Sequence, residues 1–335
     1  MKTYTVAILG VTGAVGQEML RVLEQRNFPV GKLVPLASSR SVGESICFRG
    51  QHIPIQEATA EAFAGVDIVL GAAENDIAIA LAPAIRAAGA VFVDNSSTFR
   101  MDPEVPLVVP ECNGADVKLH KGILSNPNCT TAISLTAVQA LRELGQIRSM
   151  VASSYQAVSG AGVAGLAELE AQMKAFSQGQ PLPRQVFPYQ ILCNLIPQIG
   201  SEQEHGYTTE EMKLHYEGRK ILHLPQLNVS CTCVRVPVMR SHSVSLRITF
   251  DRPVKAEDAR RLLRNAPGCR LADELASGQY PMPLDATAQD LVLVGRVRED
   301  LTDPNSLNLW CCGDQLRKGA ATNAVQIAEL VIAEM

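Results

Sequence analysis

The opening of the chain constrains the fold most. Thr3 to Leu9 is a β-rich apolar run that ends in Gly10-Val11-Thr12-Gly13-Ala14-Val15-Gly16, and a helical pattern from Gly16 to Arg26, with apolar Met19, Leu20, Val22 and Leu23, follows at once. Glycines three apart between a strand and a helix let the backbone approach a pyrophosphate, while the helix N-terminus offers unpaired N–H groups and positive dipole. The competing reading is a tight turn made for packing alone, and the context argues against it. Further strands are expected over Leu33–Ala37, Val66–Leu70 and Val91–Asp94, with helices over Ala58–Ala64 and Ile77–Ala88. Strand, helix, strand at this pitch means βαβ units and a parallel sheet covered on both faces, a doubly wound domain.

After about residue 130 the texture changes. A helix is expected over Thr131–Leu144 and a strand over Ser149–Gln156, followed by a polar, proline-containing stretch, Gln178–Tyr207, that fits no βαβ repeat. Val229–Arg235, Ser243–Phe250, Leu291–Val297 and Leu307–Cys312 then read as strands with few helices between them. That predicts an α+β domain on a mixed or mostly antiparallel sheet. The closing segment Gly319–Met335 places Ala320, Ala324, Ile327, Leu330 and Val331 at helical spacing and is expected to pack on the first domain. A length of 335 residues suits two domains, here 1–130 with the closing helix 319–335, and 131–318.

Composition excludes several classes. Lys and Arg number 30 against 34 Asp and Glu, spread along the chain, so no basic surface awaits nucleic acid. The start lacks a signal-peptide core, and the most apolar stretch, Ile77–Val93, is interrupted by Pro83 and Arg86, so no membrane span is expected. A cytosolic protein is the expectation. Nine cysteines form neither paired CxxC motifs nor a Cys/His cluster at zinc spacing, so no metal is assigned and most are read as free core thiols.

The second strand bears on which dinucleotide binds. NAD sites commonly carry an acid at its end for the ribose 2′-hydroxyl, whereas this strand ends Leu36-Ala37-Ser38-Ser39-Arg40-Ser41. Hydroxyls beside a guanidinium suit a 2′-phosphate, which predicts NADP, bound by Gly10, Thr12, Gly13, Ala14 and Val15 of the turn and by Ser38, Arg40 and Ser41. Arg40 on a solvated loop is the bland alternative.

Among the cysteines, Cys129 stands apart. It lies in Ser125-Asn126-Pro127-Asn128-Cys129-Thr130-Thr131, a turn-forming run that opens a helix, where the dipole favours a thiolate. Spacing alone leaves a buried structural cysteine equally open. Of six histidines, His242 sits at a strand junction, and a solitary histidine there is usually structural.

Taken together, these segments resemble the aspartate-semialdehyde dehydrogenase family. The resemblance rests on Gly10–Gly16, Asp94-Asn95-Ser96-Ser97-Thr98-Phe99-Arg100-Met101, Ser125–Thr131, Gln156-Ala157-Val158-Ser159-Gly160-Ala161-Gly162, Asn194–Ile199, Cys233–Val238 with His242, and Lys318-Gly319-Ala320-Ala321 with Asn323. It implies a Rossmann-type NADP-binding domain, a catalytic and dimerisation domain, and a homodimer or homotetramer. The implied reaction is reversible reductive dephosphorylation of 4-aspartyl phosphate to L-aspartate 4-semialdehyde, on the route to lysine through diaminopimelate, threonine, methionine and isoleucine. By the same resemblance Cys129 is the nucleophile that carries a thioester, His242 the general acid and base, and Gln156 the group that positions the acyl carbon. Arg235 takes the substrate carboxylate, Glu210 the ammonium, and Lys213, Arg100 and Asn128 the phosphate, while Ser159, Gly160 and Asn323 join the cofactor site. Glu211 could exchange roles with Glu210.

Elsewhere the residues point less clearly. Cys231 with Cys233, and Cys311 with Cys312, read as core or interface packing. Glu74 and Asp76 stand where the family often has a small-residue run, and are expected on the solvent side at the start of the helix Ile77–Ala88. Two rival readings are an N-acetyl-glutamyl-phosphate reductase, whose cysteine motif usually has Gly where Asn128 stands, and a catalytically silent nucleotide-binding relative.

Overall fold

The computed structural model describes residues 2–334; Met1, and Met335 at the end of the expected closing helix, lie outside the described residues. The chain divides into two compact units, one running through Asn128 and resuming at Ala320, the other spanning Cys129–Gly319.

In the first unit, strands β1 (Tyr4–Leu9), β2 (Val30–Ala37), β5 (Gln56–Glu57), β6 (Ile68–Gly71), β7 (Val91–Asp94) and β8 (Ile123–Ser125) form one sheet in the order β5-β2-β1-β6-β7-β8. Every pairing in it is parallel. Because β2 lies on one side of β1 and β6 on the other, the winding reverses at β1, and the crevice beyond the carboxyl ends of these strands is where such folds hold ligands. Successive residues of β1 serve opposite faces. Val6 and Ile8 pack with Met19 and Leu23 of helix α1 (Ala14–Gln25) and with Ile327 and Val331 of the closing helix Thr322–Glu334. Ala7 and Leu9 pack with Phe63, Phe92 and Ile85, the last on helix α2 (Asn75–Ala87). Each buried Val, Leu, Ile, Phe or Met side chain among them contributes about 1.5–3 kcal/mol, which is why the strands read as continuous apolar runs.

Two local features differ from expectation. The helix expected over Ala58–Ala64 is one 3₁₀ turn, Ala60–Phe63, because the backbone is extended at Thr59, with ψ 168°, and leaves the helical region again at Ala64, with ψ 119°. A hairpin of β3 (Ser45–Phe48) and β4 (Gln51–Pro54), absent from the sequence reading, turns at Arg49-Gly50, both at positive φ. A tight two-residue hairpin favours that backbone, but Arg is a weak signal for it. A short helix α3 (Pro110–Asn113) precedes β8.

The second unit carries a mixed sheet in the order β10-β9-β11-β14-β13-β12, made of β9 (Ile147–Gln156), β10 (Asn228–Arg235), β11 (His242–Phe250), β12 (Cys269–Leu271), β13 (Val292–Glu299) and β14 (Ser306–Gly313). The central pairings are antiparallel, and β10 and β12 join the two edges in parallel. On β9, Met150, Ala152, Ser154 and Gln156 are buried while their neighbours are not, the period-two pattern of a half-covered sheet. Helix α4 (Cys129–Gln139) is shorter than the expected Thr131–Leu144, since its last turns tighten to a 3₁₀ helix, Ala140–Leu144. More helix is present than the strand-rich reading implied: α5 (Gly162–Ser177), α6 (Thr209–Ile221), α7 (Ala256–Arg264) and the short α8 (Pro283–Ala286).

Much of the segment 178–207 has no regular structure, yet it is tied down. The buried Glu168 carboxylate of α5 accepts the N–H groups of Gln185 and Val186, and the Gln172 side-chain oxygen Oε1 accepts those of Ile191 and Leu192. Ile196 then pairs through both backbone groups with Arg235 at the end of β10. The Asn194–Ile199 motif is thus the segment that fixes the backbone of Arg235.

Candidate active site

At the carboxyl end of β1, Gly10 adopts φ +85°, and a β-carbon there would lie 2.7 Å from the Ala72 oxygen. A β-carbon on Gly16 would collide with the Gly10 oxygen, so both glycines are required by the protein's own packing. Gly13 is not: its φ is −74° and an added β-carbon would come no nearer than 3.4 Å to the Gly10 oxygen. It is exposed, as is Thr12, and it opens α1 with no side-chain cap, leaving first-turn N–H groups to an outside acceptor. Ala14 and Val15 form that first turn, half-buried. At the end of β2, Ser38 and Arg40 are exposed and Ser41 is half-buried, on a 3₁₀ turn without an acid. Glu74 and Asp76 are exposed at the start of α2, the orientation expected of them.

Three separated motifs of the first unit meet through their amides. Asn95 donates to the Gly71 oxygen at 2.6 Å, Asn126 donates to Asn95 Oδ1 at 2.8 Å, and Asn323 donates to Asn126 Oδ1 at 2.6 Å. Asn323 also donates to the Val108 oxygen, so its amide hydrogens are engaged inside the unit. Arg100 is buried and donates Nη2 to the Asn95 oxygen at 2.7 Å. Beside it the buried Asp94 carboxylate accepts the Ser96 N–H and hydroxyl. Burial pushes the Asp94 carboxyl up, against the opposing pull of the Ser96 bonds and the Arg100 charge.

In the second unit, Cys129 is the first residue of α4 and is half-buried. His242, first in β11, is fully buried; its Nδ1 accepts the Ala157 N–H at 3.1 Å, and its Nε2 has no hydrogen-bond partner. Burial first, and the Arg235 charge second, pull this imidazole from 6.5 down to about 3, with Glu210 opposing. Arg235, last in β10, is also buried and donates Nη1 to the Ala157 oxygen at 2.7 Å. Desolvation lowers its pKa, while the charges of Glu210 and Cys129 oppose the shift. A β-carbon on Gly160 would lie 2.8 Å from Arg235 Nη1 and 3.2 Å from His242 Nε2. Glycine at 160 therefore keeps the face of these two side chains clear.

Gln156 ends β9, also buried. Ser154 Oγ donates to its Oε1 at 2.9 Å, and its Nε2 donates to Glu210 Oε1 at 3.1 Å. Lys213 Nζ lies 2.7 Å from the other Glu210 oxygen, one helical turn on in α6. Glu211 is engaged elsewhere: it closes a capping box with Thr208 and accepts the Cys233 N–H at 3.0 Å. Of the adjacent acids, the structure turns Glu210 toward Gln156 and commits Glu211 to the helix start.

Two residues that sequence reasoning passed over, Gln315 and Asp314, hold the backbone turn that leads into the histidine. The Gln315 amide nitrogen donates to the Ser159 hydroxyl, and its oxygen accepts the Ser241 N–H at 2.8 Å. Ser241 has φ +74°, a conformation that costs a non-glycine residue about 1 kcal/mol or more, immediately before His242. Asp314 accepts Arg240 Nε and the Ala288 N–H, both at 2.7 Å. The available signal was an acid and an amide directly after an apolar strand, where both are buried. Cys231, Cys233, Cys311 and Cys312 are buried; contact with Cys233 and burial push the Cys231 thiol up, and burial pushes Cys312 up to about 11. Among the described residues no group of three or more His, Cys, Asp and Glu could hold a metal ion, and no helix is long and apolar enough to cross a membrane.

Residues 5–120 match the family described as semialdehyde dehydrogenase, NAD binding domain, and residues 138–318 the one described as semialdehyde dehydrogenase, dimerisation domain. The aspartate-semialdehyde dehydrogenase of Synechocystis sp. is 46% identical over 327 residues, which cover 98% of this chain and 97% of that protein. The Bacillus subtilis enzyme of the same name is 46% identical over 332 residues, 97% and 96% of the two chains.

The chain belongs to the aspartate-semialdehyde dehydrogenase family.

Among solved structures, aspartate semialdehyde dehydrogenase II of Vibrio cholerae complexed with ASA superposes with a TM-score of 0.97 at 40% identity, covering 99% of each chain. Aspartate semialdehyde dehydrogenase of Candida albicans with NADP superposes at 0.78 with 26% identity, again over 99% of each chain. Membership of the aspartate-semialdehyde dehydrogenase family accords with both sheets: a parallel nucleotide-type sheet and a mixed second sheet are the architecture that the sequence predicted.

Proposed function

We propose that the protein is an NADP-dependent aspartate-semialdehyde dehydrogenase that converts 4-aspartyl phosphate to L-aspartate 4-semialdehyde, and back, through a thioester on Cys129. The observation that carries this reading is the buried, unpartnered Nε2 of His242, kept open by Gly160 beside Arg235 in the unit whose first helix begins at Cys129. A fully desolvated ring nitrogen without a partner is costly unless a ligand completes it.

In this scheme the Cys129 thiolate, favoured by the helix N-terminus, attacks the acyl carbon. A carbon–sulfur bond forms, the carbon–oxygen bond to phosphate breaks, and phosphate leaves with that electron pair. The Ala157 N–H on Nδ1 places the proton of neutral His242 on Nε2, so the ring meets the tetrahedral oxygen as a donor. Its acid–base role is weighted toward donation, because an imidazolium would set Nδ1–H against the Ala157 N–H and its charge against Arg235. Among the described residues the Arg235 guanidinium makes one hydrogen bond, through Nη1 to the Ala157 oxygen, which leaves the rest of its fork for the substrate carboxylate. Glu210 takes the ammonium, and Lys213, Arg100 and Asn128 the phosphate.

The cofactor residues fit a dinucleotide. Gly13, glycine for no reason internal to the protein, and the uncapped start of α1 suit a pyrophosphate, with Thr12, Ala14 and Val15 around it. Ser38, Arg40 and Ser41 suit a 2′-phosphate. Ser159 and Gly160, from the loop after β9, and Asn323 complete the assignment. NADPH held there would supply hydride to the thioester carbon, and the Cys129 sulfur would leave with the electron pair of the carbon–sulfur bond as the aldehyde is released.

We assign cofactor binding to residues 1–130 with the closing helix 319–335, and catalysis and association to 131–318, as a homodimer or homotetramer. We place the enzyme in the cytoplasm, where unbridged thiols persist, serving biosynthesis of lysine, threonine, methionine and isoleucine. The test mixes the protein with aspartate semialdehyde, NADP and phosphate and follows reduced nicotinamide by absorbance. Phosphate-dependent growth is expected. Growth only with the N-acetyl-glutamate aldehyde, or none with either, overturns the proposal in favour of the reductase or a silent nucleotide binder.

A further inference from the structure

The buried row of β9 runs Met150, Ala152, Ser154, Gln156, and a hydroxyl in such a row needs a reason. The cross-strand neighbours of Ser154 are Cys233 and Val244, and its hydroxyl donates to Gln156 Oε1 at 2.9 Å. From the other side Glu210 Oε1 accepts Gln156 Nε2 at 3.1 Å, and Lys213 holds the second Glu210 oxygen at 2.7 Å. The amide is gripped at both ends. A flipped amide would set its oxygen against the Glu210 carboxylate and leave the hydroxyl no acceptor on it. Of the two Nε2 hydrogens one goes to Glu210, so the hydrogen left for a ligand is an N–H.

We infer that Ser154 is a positioning residue that, together with Glu210, fixes the Gln156 amide so that it meets the acyl group of the substrate as a hydrogen-bond donor. This rests on the reading of Gln156 given under the proposed function and adds its polarity and the residue that sets it. A donor aimed at the acyl oxygen stabilises the charge that develops there when the thiolate attacks, and such a donor acts on kcat rather than on ground-state binding.

A double-mutant cycle tests it. Ser154→Ala, Gln156→Ala and the double variant are assayed for kcat and KM with aspartate semialdehyde, NADP and phosphate, and their melting temperatures are recorded. Ser154→Ala should lower kcat roughly tenfold, the kinetic equivalent of one misaimed hydrogen bond, and leave KM unchanged. In the Gln156→Ala background it should change nothing further. Ser154→Thr, which keeps the hydroxyl, should recover the loss. The same fold-loss in both backgrounds, or a lowered melting temperature with unchanged kcat, overturns the role of Ser154 and leaves that of Gln156 standing. A Gln156→Ala enzyme with normal kcat removes Gln156 itself from the reaction, and Ser154 with it.

Discussion

Gly319 sits against Cys129 so closely that a β-carbon on it would lie 2.8 Å from the Cys129 β-carbon and 3.2 Å from its α-carbon. The two residues open and close the second unit in sequence, and the absent side chain of one leaves room for the other. We expect Gly319→Ala to fold but to displace the thiol, and a shift of about 1 Å in a reacting group can cost on the order of a hundredfold in rate. Steady-state kcat and the rate of thiol alkylation measure it; a variant with unchanged kcat would show that Cys129 tolerates the shift.

Separating nucleophile from cofactor makes a second prediction. Cys129→Ser should abolish turnover and leave NADP binding, followed by titration, intact. A parallel loss of NADP affinity would contradict the separation.

Arg40 should matter to one cofactor only. Arg40→Ala should raise KM for NADP by at least about tenfold, because a charge-assisted hydrogen bond to a phosphate contributes about 1.5–3 kcal/mol, and should leave KM for NAD nearly unchanged. Equal effects on both cofactors reject the 2′-phosphate role.

The adjacent acids of α6 should fail in different ways. Glu211→Gln should lower stability by about 1–2 kcal/mol, seen as a lower melting temperature, because the carboxylate serves the helix cap and the Cys233 N–H. Glu210→Gln should instead raise KM for the aldehyde and, by loosening the Gln156 amide, lower kcat, with little change in melting. The reverse pattern would exchange the two roles.

His242 links stability to pH. Its pKa in the folded state is about 3 against the ordinary 6.5, so between those values the unfolded chain binds the extra proton. This contribution to stability is therefore present above pH 6.5 and lost as the pH falls through that window toward 3. Melting temperatures recorded from pH 8 to pH 4 should fall more steeply for the native enzyme than for His242→Gln, with an effect of several kcal/mol spread over the window. Parallel curves would show that the ring is not held neutral.

What could be read from the chain alone was whatever depends on neighbours along it. The strand into Gly10–Gly16 and the helix beyond it, the period-two rows of the second sheet and the amphipathic closing helix are local patterns, and each lies within a few residues of its expected place. The motifs also marked Cys129, Gln156, Arg235 and His242 as residues to watch. Only tertiary structure decided how they are held. That Glu210 rather than Glu211 faces Gln156 follows from a helix cap and a strand edge 22 positions downstream. Gln315 reaches Ser241 across 74 residues, and Ser154 acquires a purpose only once Glu210, 54 residues from Gln156, closes the far side of the amide. Hydrogen-bond partners set by strand pairing and helix packing leave no periodicity in a sequence, because the geometry that joins them exists only after the chain has closed.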